Sequence, residues 1–184
     1  MSNNENPAVS SEPKVEGAIT DNGIKITEQS SIDSLTQRGY GVKEKDNFTL
    51  TFYEALYLQD KQMLTVKDKK GNSIDFQTLL KNYQKIDENA WAHYLVYRDL
   101  RSRGYVAREG FGKAIDFRIY ERGTYGKDNA TTLILSTQEG KPLPIEDLTN
   151  ALSQSQSLKK DLVLGVMNRR GEIVYYSVSP LTFK

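Results

Sequence analysis

Cysteine is absent from the sequence, and histidine occurs once, at His93. The first absence excludes disulfides, thiolate nucleophiles and cysteine-ligated zinc, and it favours a reducing, cytoplasmic address over a secreted scaffold. The second means that a histidine acting as general acid or metal ligand is His93 or belongs to another chain. An excess of one charge is lacking too. Lys and Arg number 25 against 24 Asp and Glu, so the net charge of +1 creates no whole-molecule field that announces nucleic acid. No apolar run approaches the ~20 residues of a membrane span, and the opening MSNNENPAVSSEPKVEG has neither the basic nor the apolar region of a signal peptide. The expectation is a soluble chain with no membrane partner.

What is present divides into segments. At 184 residues the chain accommodates one large domain or two small ones, each with its own core. Residues 1–20 are rich in Ser, Asn, Glu and Pro and read as a disordered tail. GIKIT alternates as a strand does, and NFTL offers another. Thr51 and Glu54 stand ahead of ALYL at the spacing of a capping box, in which each side chain satisfies the other's free backbone donor. MLTVKDKKGNSI reads as strand and turn, and Asp75 caps a short helix, FQTLLKNY. These make a first lobe over residues 21–85.

The clearest helix, DENAWAHYLVYRDLRSRG, opens a second lobe over residues 86–184, with Asp87 as its cap, Trp91, Tyr94 and Leu95 on one face, and Gly104 at its end. YVAREG, AIDFRIY and TTLILS follow as strands, then a helix entered through Pro144, then DLVLGVMN and EIVYYSVS joined by a tight turn at Arg169-Arg170-Gly171. The order predicts an α/β fold with helices packed on a mixed sheet.

Between Arg98 and Lys127 there are eight basic residues against four acids, with tyrosines interleaved. With Lys159 and the Arg169-Arg170 pair, this forms either a phosphate-tracking surface that includes Arg118 and Arg122, or an ordinary solvated face. Composition leaves both open. GFGK at 110–113 lacks the spacing and the following helix of a phosphate loop. His93, inside an amphipathic helix, reads as a packed side chain.

Residues 94–123, YLVYRDLRSRGYVAREGFGKAIDFRIYERG, closely resemble the signature of the archaeal tRNA-splicing endonucleases. LTNALSQSQSLKKDLVLGVMNRRGEIVYYSV is similar to their carboxy-terminal segment, and the FYEALYL helix is similar too. The resemblance implies a small N-terminal α/β lobe and a restriction-endonuclease-like C-terminal lobe, acting on precursor tRNA without metal or cofactor. In that family a tyrosine deprotonates the ribose 2′-hydroxyl, a histidine protonates the leaving 5′-oxygen, and a lysine steadies the pentavalent phosphate, leaving a 2′,3′-cyclic phosphate. The chemistry is sound, because RNA carries its own nucleophile and needs only a base, an acid and a cation held in line.

Carried over residue by residue, the tyrosine falls on Tyr120 and the lysine on Lys160. The histidine position falls on Asn129, or on Ala130 if the shorter loop is aligned differently, and neither titrates. An arginine that clamps a flipped base in catalytic relatives is replaced by Ser153, within the polar run Ser153–Ser157. A chain with the scaffold but without the acid resembles the structural subunit of the heterotetrameric enzyme, in which two such chains pair with two of a catalytic paralogue. The rivals are a catalytic subunit whose acid lies elsewhere and a non-enzymatic RNA-binding protein on the same fold. The resemblance also implies two interfaces, an acidic loop placing Glu139 and the last strand placing Val174.

Overall fold

The computed structural model describes residues 14–112, 114–127 and 129–181. The chain is mixed α/β, with two sheets and five helices among those residues. The N-terminal part runs β1 (Val15–Thr20), β2 (Gly23–Ile26), α1 (Gln29–Gln37), β3 (Val42–Glu44), β4 (Asn47–Leu50), α2 (Phe52–Asp60), β5 (Leu64–Lys67), β6 (Ser73–Ile74) and α3 (Phe76–Gln84). Its sheet has the order β3-β4-β2-β1-β5-β6. Only the β1–β5 pairing is parallel.

Two expectations need correction here. Residues 15–20 are not tail; they form β1, whose alternate residues Val15 and Ile19 pack against the core and whose backbone bonds to both neighbours. Residues 1–13 lie outside the described residues. The polar stretch after β2 also contains α1, which buries little beyond Ser31 and Leu35 and therefore shows no apolar stripe in the sequence.

Local signals fare better where the partner is close. The capping box of α2 is complete, with Glu54 N–H donating to Thr51 Oγ1 at 3.4 Å and Thr51 N–H donating to Glu54 Oε2 at 2.9 Å. Asp75 accepts from Thr78 N–H at 2.7 Å and starts α3.

The C-terminal part runs α4 (Ala90–Ser102), β7 (Val106–Glu109), β8 (Phe117–Tyr120), β9 (Thr132–Gln138), α5 (Ile145–Ser157), β10 (Asp161–Met167) and β11 (Ile173–Val178). Gly104 ends α4 with a φ of +88°, a conformation that costs other residues a Cβ clash. Asp87 is not the cap of α4; the N-cap is Asn89, and the Asp87 carboxylate accepts from Asn89 N–H and turns to His93. Trp91 is 39% exposed while Tyr94 and Leu95 are buried, so the apolar face of α4 is narrower than the pattern suggests.

The second sheet has the order β11-β10-β9-β8-β7, with β9 and β10 parallel and joined through α5. Side chains alternate. Ile134 and Met167 face α4, while Leu133, Leu135 and Leu162 face Ala151 of α5. No helix among the described residues is long and apolar enough to cross a membrane.

One buried cluster runs through both parts, from Ile24 to Met167. Its junction is aromatic. Tyr53 of α2 lies 4.8 Å from Tyr97 of α4 and 5.2 Å, edge-on, from Phe117 of β8. Beside it runs a polar lock. Arg108 of β7 donates to Glu54 Oε1 at 3.1 Å and to the carbonyls of Gly39 and Gly41. Glu54 is only 2% exposed; burial pushes its carboxyl above the usual range, and Arg108 with the N–H groups of Thr51 and Gly41 pulls it back. Removing one partner of such a pair leaves an uncompensated buried group. Arg108→Ala is therefore expected to lower the unfolding free energy by about 3–5 kcal/mol, measured by urea denaturation through the fluorescence of the single tryptophan. Glu54→Gln combined with Arg108→Met should recover part of that loss.

Candidate nucleic-acid site

Strand register brings the sequence-assigned residues to one place. Ile119 of β8 pairs with Thr132 of β9, so Tyr120 stands beside Thr131, whose N–H donates to Ile119 O at 3.1 Å. Thr132 pairs in turn with Asp161 of β10, which sets Lys160 on the other side of the same segment. Tyr120, residues 129–131 and Lys160 thus occupy one end of three adjacent strands, where backbones two strands apart are about 10 Å from each other. Lys160 Nζ donates to the Ala130 carbonyl. A left-handed turn at Lys159, φ +53°, closes α5 and leads into Lys160, and Lys159 itself is exposed.

The pocket at this end has a volume of about 520 Å³ and is walled by Tyr120, Tyr125, Gly126, Lys127 and Asn129. Tyr125 stands edge-on to Tyr120, with centroids 5.1 Å apart at 87°. It also lies against Gly39, where a Cβ would come within 3.2 Å of the ring. Sequence reading passed over Tyr125, although an aromatic residue in a glycine-flanked loop was the available signal.

The remaining assigned residues are elsewhere. Arg118 shares a sheet face with Tyr120 but reaches the other way, donating to Glu109 O at 2.7 Å and covering the Phe111 ring at 4.6 Å. Arg122 is exposed and packs over Gly104. The Ser153–Ser157 run is not one surface, since Ser155 points into the core and donates to Leu152 O. Glu139 follows β9 at the opposite end of the sheet from Tyr120, and its carboxylate accepts from Arg169 N–H at 3.3 Å. Val174, 43% exposed, lies on the edge strand β11 beside Tyr176, 54% exposed.

His93 is committed to another task. Its ring bonds Asp87 at 2.6 Å through Nδ1 and Asp116 at 3.1 Å through Nε2, and its side chain is 16% exposed. Asp116 precedes β8 and Tyr120 ends it, a span of about 13 Å at ~3.3 Å per residue. The imidazole therefore does not reach the Tyr120 pocket.

The family follows from comparison with known proteins. The chain matches the family model for the N-terminal domain of tRNA intron endonuclease over residues 15–80 and that for the catalytic C-terminal domain over residues 90–175. It is 32% identical over 163 residues to the tRNA-splicing endonuclease of Methanococcus vannielii, covering 89% of this chain and 92% of that protein. The chain belongs to the tRNA-intron endonuclease family. It is also similar to the tRNA-splicing endonuclease of Pyrococcus horikoshii, 29% identical over 170 residues that cover 92% of this chain and 98% of that one. Against the tRNA-splicing endonuclease of Methanococcoides burtonii it is 30% identical over 155 residues, which cover 83% of this chain and 43% of that longer protein. The endonuclease domains thus correspond to the two sheets, and the end of the second sheet that carries Tyr120 and Lys160 is the candidate site.

The His93 clamp gives a pH prediction. Burial disfavours the imidazolium, but the hydrogen bonds and charges of Asp116 and Asp87 outweigh it and raise the pKa to about 9. A raised folded-state pKa means that the stabilisation is fully present below the unfolded value of about 6.5 and is lost as pH rises through about 9. Its size is on the order of 3 kcal/mol. Because the chain has one histidine, its Cε1–H proton resonance should titrate alone, with a midpoint near 9 that Asp116→Asn moves down. A midpoint near 6.5 in the folded chain would contradict the clamp.

Proposed function

We propose that this chain is the structural subunit of a heterotetrameric tRNA-splicing endonuclease, pairing two plus two with a catalytic paralogue that cuts introns from precursor tRNA. One observation carries the reading. The position that the resemblance reserves for the proton donor is Asn129 or Ala130, and Lys160, the reserved cation, is turned onto the Ala130 carbonyl. An amide and a methyl group have no proton for a departing alkoxide, and loss of a general acid costs about 10²- to 10⁴-fold in rate. Tyr120 and Lys160 then act as packing and stapling residues.

The assembly we assign uses both implied interfaces. The loop carrying Glu139 is tied to the start of α4 by Lys141, which donates to Glu88 at 3.0 Å and Asn89 at 2.7 Å. The open edge of β11, with Val174 and Tyr176 outward, supplies the second contact, since an apolar edge strand left uncovered invites aggregation. In sedimentation velocity on chains mixed with the paralogue, Glu139→Lys is expected to lower the tetramer fraction and Val174→Asp to lower the dimer fraction. Unchanged profiles would remove these residues from the interfaces.

The assay that tests the function is single-turnover cleavage of precursor tRNA. The chain alone should cut nothing. With the paralogue it should yield a 2′,3′-cyclic phosphate end, and Tyr120→Phe in this chain should leave the rate unchanged, while the same change in the paralogue abolishes it. Cleavage by the chain alone, lost in Tyr120→Phe, would establish the catalytic reading instead.

A further inference from the structure

Tyr125 has no part in the scheme above, yet it is the best-positioned aromatic ring at the pocket. It is held from two directions, edge-on by Tyr120 of β8 and from beneath by Gly39 of the N-terminal domain. Gly39 has φ +74°, so the turn brings bare backbone up to the ring where any side chain would collide with Tyr125 and Val106. A ring immobilised this way presents a stacking surface at little further cost in entropy.

The surrounding groups narrow the ligand. The described walls are two phenols, an amide, an ammonium and glycine backbone. A nucleobase stacks on a phenol and its phosphate pairs with an ammonium. The same turn adds charge. Arg38 is exposed beside Gly39, and Arg101 stacks 4.0 Å over Tyr40 while donating to Arg38 O at 3.0 Å. A volume of about 520 Å³ falls in the range of small-molecule sites and is ample for one nucleotide.

We infer that this pocket holds an unpaired nucleotide of the precursor RNA without cutting it, with Tyr125 stacking on the base and Lys127 pairing with the phosphate. The strand then continues over the Gly39 turn towards Arg38. This rests on the structural-subunit reading, in which the pocket keeps its walls and lacks its proton donor. It gives the second domain a contact with RNA that the N-terminal domain helps to build.

The test uses the full chain and a short fluorescein-labelled single-stranded oligoribonucleotide in fluorescence anisotropy. Tyr125→Leu fills the space on Gly39 without a π face and is expected to weaken binding about 5- to 100-fold. Tyr125→Phe keeps the face and should retain the affinity. Lys127→Gln should weaken binding and flatten the salt dependence by about 0.7 in the log–log slope, the increment for one phosphate contact on a single strand. Equal affinities for Tyr125→Leu and Tyr125→Phe overturn the inference. So does unchanged RNA affinity accompanied by loss of the paralogue, which would assign the ring to a protein contact. Cleavage by the chain alone would sink the structural-subunit reading whatever the anisotropy shows, while a flat anisotropy series sinks only the nucleotide pocket.

Discussion

The buried pair of Arg108 and Glu54 holds the two halves of the molecule in one geometry. Both charges are taken from water, a process that costs several kcal/mol per ion and is offset only when every donor and acceptor is used. Here they are used. Glu54 closes the capping box of α2 and receives Gly41 N–H, while Arg108 fills the carbonyls of Gly39 and Gly41. The pair thereby sets the start of a helix, a turn of the first sheet and a strand of the second at once. The turn it holds is the one beneath Tyr125, so the shape of the pocket at the end of β8 depends on an ion pair in another part of the fold.

That arrangement explains what was legible in the sequence. Signals carried by neighbouring residues translate directly into structure, as with Thr51 and Glu54, Asp75, Gly104, and the strand-helix-strand run from Thr132 to Met167. Elements supported from afar do not show themselves. β1 is a strand because Leu64–Lys67 runs alongside it, and α1 survives on Leu35 and a few contacts that no periodicity announces. Asp87 looked like a helix cap because Asp often is one, yet the charge of His93 six residues later claims its carboxylate. The capping spacing revealed Glu54 as a cap. It gave no hint that Arg108, 54 residues away in sequence, would share the carboxylate.

The placement of the candidate residues was legible in a similar, partial way. Tyr120 and Lys160 lie far apart in the chain, but β9 separates their strands and the parallel β9–β10 crossover returns the chain to the same end of the sheet, so their meeting is a matter of topology. Their surroundings are not. Whether a lysine at that end points at a ligand or at its own backbone depends on which carbonyl is within reach, and here Ala130 O is. The basic count between Arg98 and Lys127 likewise suggested one continuous surface. Pairing disperses it, with Arg108 spent on Glu54, Arg103 on Asp99, and Arg118 on Phe111 and Glu109.

These contacts give Tyr120 and Lys160 structural duties that do not depend on any chemistry at the site. Lys160 ties the end of α5 to the strand entry at Ala130, and without its ammonium a part-buried carbonyl between β8 and β10 would lose its partner. Tyr120 supports Tyr125, which in turn closes the contact with the Gly39 turn. Asn129, by contrast, is exposed, while its neighbour Ala130 is buried. Tyr120 and Lys160 are thus built into the packing of the domain, whereas Asn129 stands exposed at its edge.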